Sequence, residues 1–286
     1  MPPPKSHSLD SRRLGPLVVV AALVLVAACS SRQIEKIPAN LPLESAFRLV
    51  GRPGPVLEPA EARGEVVLIK DRHSTYPGFN RLRPQLRQVQ RDNRLLVAYL
   101  LGRDYRLLGC EFPLGPIEED DSTATQYRII RGRLDDEREL DEYGVFQPIR
   151  FQLMFRGRLE VLGVEDPDLF GSDLDDFDLF ARARKKLARK DLTEEDRAEL
   201  ARRMNELHRK MSANVAARGA AAGRNLARLM DERQATRAMM LIGGAHVPAA
   251  AEALLEAGFR VQVVESSRYA SEGAEGQAFD DVEDAH

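Results

Sequence analysis

Cysteine is nearly absent from this 286-residue chain: only Cys29 and Cys110 occur, and they form no C-x-x-C pair. That weighs against a thiol redox protein. Histidine is scarce as well, with five in all. An excess of charge is missing too. The formal net charge is −3 and the pI is about 6.0, which argues against nucleic acid as the main partner. There is no G-x-S-x-G nucleophile elbow, no phosphate-binding glycine loop and no H-E-x-x-H. These gaps weigh against serine hydrolases, nucleotide enzymes and zincin-type proteases.

What is present begins with an address. Lys5, Arg12 and Arg13 form a basic region ahead of an apolar run, Leu14 to Ala28. That run has the length of a signal peptide and is short for a membrane span. It ends Val26-Ala27-Ala28-Cys29, which resembles a bacterial lipobox. The resemblance implies a signal peptide over 1–28 and a lipidated Cys29 as the new N-terminus. Acyl chains there, palmitate among them, would hold the protein to a membrane. An uncleaved anchor helix is the alternative. Ser30, rather than Asp, follows the cysteine, so the lipobox rule places the protein in the cell envelope, on the outer membrane facing the periplasm. With Cys29 acylated, Cys110 has no disulfide partner. It closes an apolar run and reads as a buried thiol. Residues 29–62 carry Pro38, Pro42, Pro53, Pro55 and Pro59 and read as a tether, part of which, Phe47 to Val50, packs on the domain.

Residues 63–266 read as an α/β domain: a central, mainly parallel sheet flanked by helices, with a long helical excursion (about 173–234) before the last strand–helix–strand unit. Glu65 to Ile69 is the first strand. A helix follows from about Pro84 to Leu101, with Leu86, Val89, Leu96, Val97 and Leu100 on its apolar face. Tyr105 to Cys110 is the next strand. Leu114 to Arg150 carries two acidic clusters, Glu118–Asp121 and Asp135–Glu139, and reads as short helical or irregular pieces with solvated charge. Ile149–Phe155 and Leu159–Val164, separated by Arg156-Gly157-Arg158, read as a hairpin. Asp173 to Lys190 is helical. Thr193 and Asp196 form a capping box for a long helix with a stripe at Leu200, Met204, Leu207, Met211 and Val215. Gly219 and Gly223 interrupt it, and a further helix runs from about Arg224 to Glu232. The stretch 267–286 is polar and acidic and reads as a disordered tail.

The last unit gathers the chemistry. Ala238 to Ile242 is a buried strand, and Gly243, Gly244 and Ala245 leave its end bare so that the backbone turns and something approaches. His246 follows, then Pro248 in the first turn of a helix ending before Gly258. Phe259 to Val264 is the final strand. In open α/β sheets ligands bind at the carboxyl ends of strands. Setting aside His7, His208 and His286, the two remaining imidazoles, His73 and His246, both lie just past strand ends. Asp71, Glu111, Glu165 and Asp166 are the carboxylates at comparable places. Imidazole with carboxylate suits a divalent metal such as Zn or Mn, and an open position on it would supply a nucleophilic water. The bland alternative is that these are polar residues in loops.

On these residues the chain resembles the Tiki/TraB superfamily, which includes the TraB/GumN proteins, erythromycin-esterase-like proteins and haem-binding ChaN-like lipoproteins. Gly243-Gly244-Ala245-His246 matches its second G-x-x-H motif. Arg224-Asn225 matches the Arg-Asn pair ahead of it, and Glu111 the acid closing the second strand. The first motif departs: Lys70-Asp71-Arg72-His73 stands in place of G-E-x-H. The resemblance spans roughly Glu65 to Glu265. It implies a metal-dependent hydrolase, a peptidase in some members. His73, His246 and Glu111 would hold the metal, Asp71 would orient water or act as base, and Arg224 would stabilise an oxyanion. Gly243, Gly244 and Asn225 would line the ligand. It equally implies a non-catalytic reading, in which one histidine ligates haem or the crevice takes another small molecule or peptide. A degenerate envelope scaffold is the third.

Overall fold

The computed structural model describes residues 36–72, 82, 84–187, 192–266 and 268–269. Cys29, His73 and most of 267–286 lie outside them, so the lipidation site, the first histidine and the expected tail are not placed. All described residues but Lys36 belong to one unit, Ile37–His286.

The sheet has seven strands in the order β1-β7-β2-β6-β3-β5-β4. In chain order they are β1 (Gly51–Leu57), β2 (Gly64–Asp71), β3 (Leu107–Pro113), β4 (Gly115–Pro116), β5 (Glu160–Glu165), β6 (Arg237–Gly243) and β7 (Phe259–Ser266). The five from β7 to β5 run parallel, and the short outer strands β1 and β4 run antiparallel to their neighbours. The fold is therefore α/β, with a mainly parallel sheet. Its helices are α1 (Leu43–Val50), α2 (Pro84–Leu101), α3 (Ala124–Arg131), α4 (Glu137–Glu142), α5 (Gln147–Met154), α6 (Pro167–Leu187), α7 (Glu194–Glu232) and α8 (Val247–Glu256).

Alternation along the strands builds a core on each face. Val66, Leu68, Met240, Ile242, Val261 and Val263 turn to one side and pack against Leu226, Met230, Ala250 and Leu254 of α7 and α8. Ile69 and Val264 turn to the other, beside Leu96 of α2. Burial on both faces explains why β2 and β6 are apolar almost throughout. The connection leaving β2 runs over one face through α2 towards β3. The connection leaving β6 runs over the other through α8 towards β7. The carboxyl ends of β2 and β6 are thus a switch point, the place where open α/β sheets take their ligands.

Three expectations need correction. Ile149–Phe155 does not form a hairpin with the next strand. Ile149–Met154 lies in α5, with Pro148 in the first turn and Phe155 at its C-cap, while β5 pairs in parallel with β3. The glycines do not interrupt the long helix. α7 runs unbroken over 39 residues from the Thr193–Asp196 capping box. A Cβ on Gly219 would collide with the His246 carbonyl, and one on Gly223 would lie 2.7 Å from the Ala250 carbonyl. The glycines let α7 press against the start of α8, at about 1 kcal/mol each in helix propensity. Finally, the segment read as a tether contributes more than Phe47–Val50. It forms α1, with Ala46, Phe47 and Val50 buried, and then β1 on the edge of the sheet. Pro53 and Pro55 read as linker residues, but an outer strand tolerates the missing N–H, and its register shifts between Pro53 and Val56.

Candidate functional site

The candidate site is built on aligned strand ends. Asp71 of β2 stands opposite Gly243 of β6. On the other side of β6, Glu111 of β3 reaches across, and its Oε2 accepts the Gly243 N–H at 2.8 Å. A side chain on Gly243 would press on that carboxylate, 3.0 Å away. Gly243, expected to line a ligand, is thus hydrogen-bonded directly to Glu111.

Glu111 Oε1 lies 3.3 Å from His246 Nε2 and 3.3 Å from an Arg218 nitrogen. Arg218, on α7, also donates through Nε to Glu165 Oε1 at 2.9 Å, and its terminal nitrogen bridges to the same oxygen. His246, 6% exposed, points its other nitrogen, Nδ1, at the Val215 carbonyl, 2.9 Å away. Two acids and two bases thus form one buried network at the ends of β3, β5 and β6, covered by α7 and the start of α8.

The protonation follows from the partners. A carbonyl oxygen only accepts, so His246 Nδ1 carries a proton. Nε2 faces a carboxylate, so it too is best served by donating. Burial alone would lower the His246 pKa. The hydrogen bond and charge of Glu111, with the Val215 carbonyl, outweigh it and hold the pKa above its ordinary value. Burial also raises Glu165, reinforced by Glu111 and opposed by Arg218. Its second oxygen, Oε2, is buried without a hydrogen-bond partner among the described residues.

Beside this network lies a second cluster, under α2. Asn93 donates to Asp71 at 2.9 Å, and both are buried. Asp92, 5% exposed, accepts from Ser266 Oγ at 2.6 Å and from Gln88 at 2.7 Å. Burial pushes the Asp92 carboxyl up to about 6, offset in part by those hydrogen bonds and by Arg91. Lys70, standing where the resembled family has glycine, pairs with Glu265 at 2.7 Å, which offsets its charge at the edge of the site. Cys110 is fully buried, and desolvation, with Asp71 and Glu111 nearby, raises its pKa, as expected of an inert thiol.

Two expected residues lie elsewhere. Arg224 is exposed on α7, away from the buried network, and the guanidinium that does reach Glu111 belongs to Arg218. Asn225 donates to the Val164 carbonyl at 2.9 Å and so holds α7 to β5. Arg218 had a signal in the sequence. The apolar stripe Leu200, Met204, Leu207, Met211, Val215 continues at its own spacing to position 218, where an arginine takes an inward place. Tyr269 had none. It lies half-buried just after β7, its hydroxyl hydrogen-bonded to the Gly244 backbone.

As a metal site the described residues supply two donors. The 3.3 Å between His246 Nε2 and Glu111 Oε1 suits two ligands of a tetrahedral ion, which sit about 3.4 Å apart when bonds are near 2.1 Å. The Arg218 guanidinium at the same oxygen opposes a cation. Among the described residues no group of three or more His, Cys, Asp or Glu could hold a metal ion. The set does not complete a metal centre, and any third donor, His73 included, lies outside the described residues. Haem iron would need an imidazole lone pair, and both nitrogens of His246 are committed.

Among the described residues no helix is long and apolar enough to cross a membrane. Searched against known proteins, the chain matches no family model, no curated protein and no solved structure.

Proposed function

We propose that this chain is a lipid-anchored protein of the bacterial cell envelope, held through Cys29, whose crevice at the ends of β2 and β6 binds a small ligand without turning it over. The anchor reading rests on the Val26-Ala27-Ala28-Cys29 sequence, and the likeness to the Tiki/TraB superfamily rests on the short motifs alone. One observation carries the binding reading over the hydrolytic one. His246 faces an oxygen acceptor at each ring nitrogen, and Glu111 faces three donors. Held between two acceptors, with its pKa above the ordinary value, His246 is disposed to keep its protons rather than take one from water. Such a network fixes the walls of a crevice rather than attacking what enters it.

The metal-dependent hydrolase is the second reading, favoured by the separation of His246 Nε2 and Glu111 Oε1. It requires His73 as a further donor and loss of the His246 proton. Metal analysis of the purified full chain separates the two. The binding reading expects no stoichiometric zinc or manganese after dialysis. A full equivalent of either metal, lost in both His73→Ala and His246→Ala, would overturn it. Haemin titration is the positive arm. If haem is the ligand, a Soret band should appear and vanish in His73→Ala but survive in His246→Gln, because His246 is already engaged.

A further inference from the structure

The glycine pair leaves its backbone bare, and the group that approaches it belongs to the chain itself. A Cβ on Gly244 would collide with the hydroxyl and ring of Tyr269. The Gly244 backbone hydrogen-bonds that hydroxyl. The Lys70 ammonium stands 5.6 Å from the ring centroid, within cation–π reach. Lys70 adjoins Asp71, which is in register with Gly243. The ring therefore sits at the switch point between β2 and β6, where a ligand of this sheet type belongs.

A turn and two side-chain contacts place it there. Tyr269 is joined to the end of β7 by one turn, its N–H donating to the Ser266 carbonyl at 3.0 Å. Arg268 N–H donates to Ser266 Oγ at 3.3 Å, and that hydroxyl donates to Asp92. The ring is half-buried, and Tyr269 is not among the residues of the core under α7 and α8. Among the described residues its attachments include a turn, a hydroxyl contact and a cation–π contact, each of which breaks without unpacking a strand or a helix.

We propose that the slot before Gly243-Gly244 is a subsite for a hydroxylated aromatic group, and that Tyr269 fills it as an internal stand-in until an external ligand displaces it. The occupant defines the chemistry: an oxygen that meets the Gly244 backbone and a ring whose face meets Lys70. The proposal rests on the crevice being a ligand site, and it adds both the class of group and the device that keeps the site closed.

The test is hydrogen exchange, read by mass spectrometry on the Gly243–Val247 segment of the full chain, with p-cresol as probe. In Tyr269→Ala, exchange of that segment should rise at least tenfold. Adding 10 mM p-cresol should restore most of the protection in the variant and leave the native chain unchanged. Equal exchange in both chains would overturn the proposal. So would a rise that p-cresol does not reverse, because the slot would then accept no outside ring. Tyr269→Phe keeps the ring and loses the hydroxyl. It should give an intermediate rise, and no rise would count against the hydroxyl contact even if the alanine variant failed to fold. None of these readouts involves metal or haemin, so their failure is distinct from failure of the binding reading above.

Discussion

Under α7 and α8, two carboxylates meet two cations: Glu111 and Glu165 face Arg218 and His246. Under α2, Asp92 accepts from a hydroxyl and an amide, with Arg91 near enough to lower its pKa, and Asp71 accepts from the Asn93 amide. Both clusters are buried, yet the balance of energies differs. The first cluster ties its groups together as ion pairs, so removing one member strands the others, although burial still holds the Glu165 pKa above its ordinary value. Hydrogen bonding in the second offsets desolvation only in part, and the acid itself remains a burden. A buried charge is thus stabilising or destabilising according to its partners, not its depth.

The sharpest way to break this contrast is Arg218→Met. It leaves Glu165 and Glu111 without their guanidinium and should cost about 3–5 kcal/mol in urea unfolding. A loss under 1 kcal/mol would mean that the network contributes little. Asp92→Asn should go the other way. Its carboxyl titrates near 6 in the fold against 3.8 ordinarily, which is a burden of up to about 3 kcal/mol at pH 7. The variant should be more stable at neutral pH by part of that, and the gain should fade as pH falls to 4. Gly219→Ala should destabilise by about 1–3 kcal/mol, although alanine is the better helix former, because the new methyl meets the His246 carbonyl. The native chain should also lose stability as pH rises. His246 is held above its ordinary pKa, so its contribution is complete below about 6.5 and disappears as pH climbs through the raised value. His246→Gln should flatten that part of the profile in chemical unfolding at several pH values. Arg224→Ala, on an exposed face, should change stability by no more than about 0.5 kcal/mol.

The parallel strands and their helices were legible because their signals are local. β6, α8 and β7 fall where the apolar runs, Pro248 and Gly258 put them, and α2 has the bounds its periodicity indicated. That Glu111 and His246 come together was legible too, because strand ends gather at one edge. Less legible were features set by partners far along the chain. Ile149–Phe155 alternates as a strand would, but Pro148 opens a helix and the sheet already supplies β5 with β3 as a partner. Gly219 and Gly223 look like breakers until α8 is laid against them. Nothing in a polar, glycine-containing tail announces that Tyr269 returns to Gly244. The contact depends on how β7 leaves the sheet.

The proline-bearing border of the sheet has one more consequence. β1 is seven residues long and two of them, Pro53 and Pro55, lack an amide hydrogen. An incoming chain seeking to extend the sheet would find gaps in the row of donors and an irregular register. Side-by-side polymerisation is therefore discouraged at that border. Wherever copies of this chain are crowded together, such a border helps keep neighbours separate.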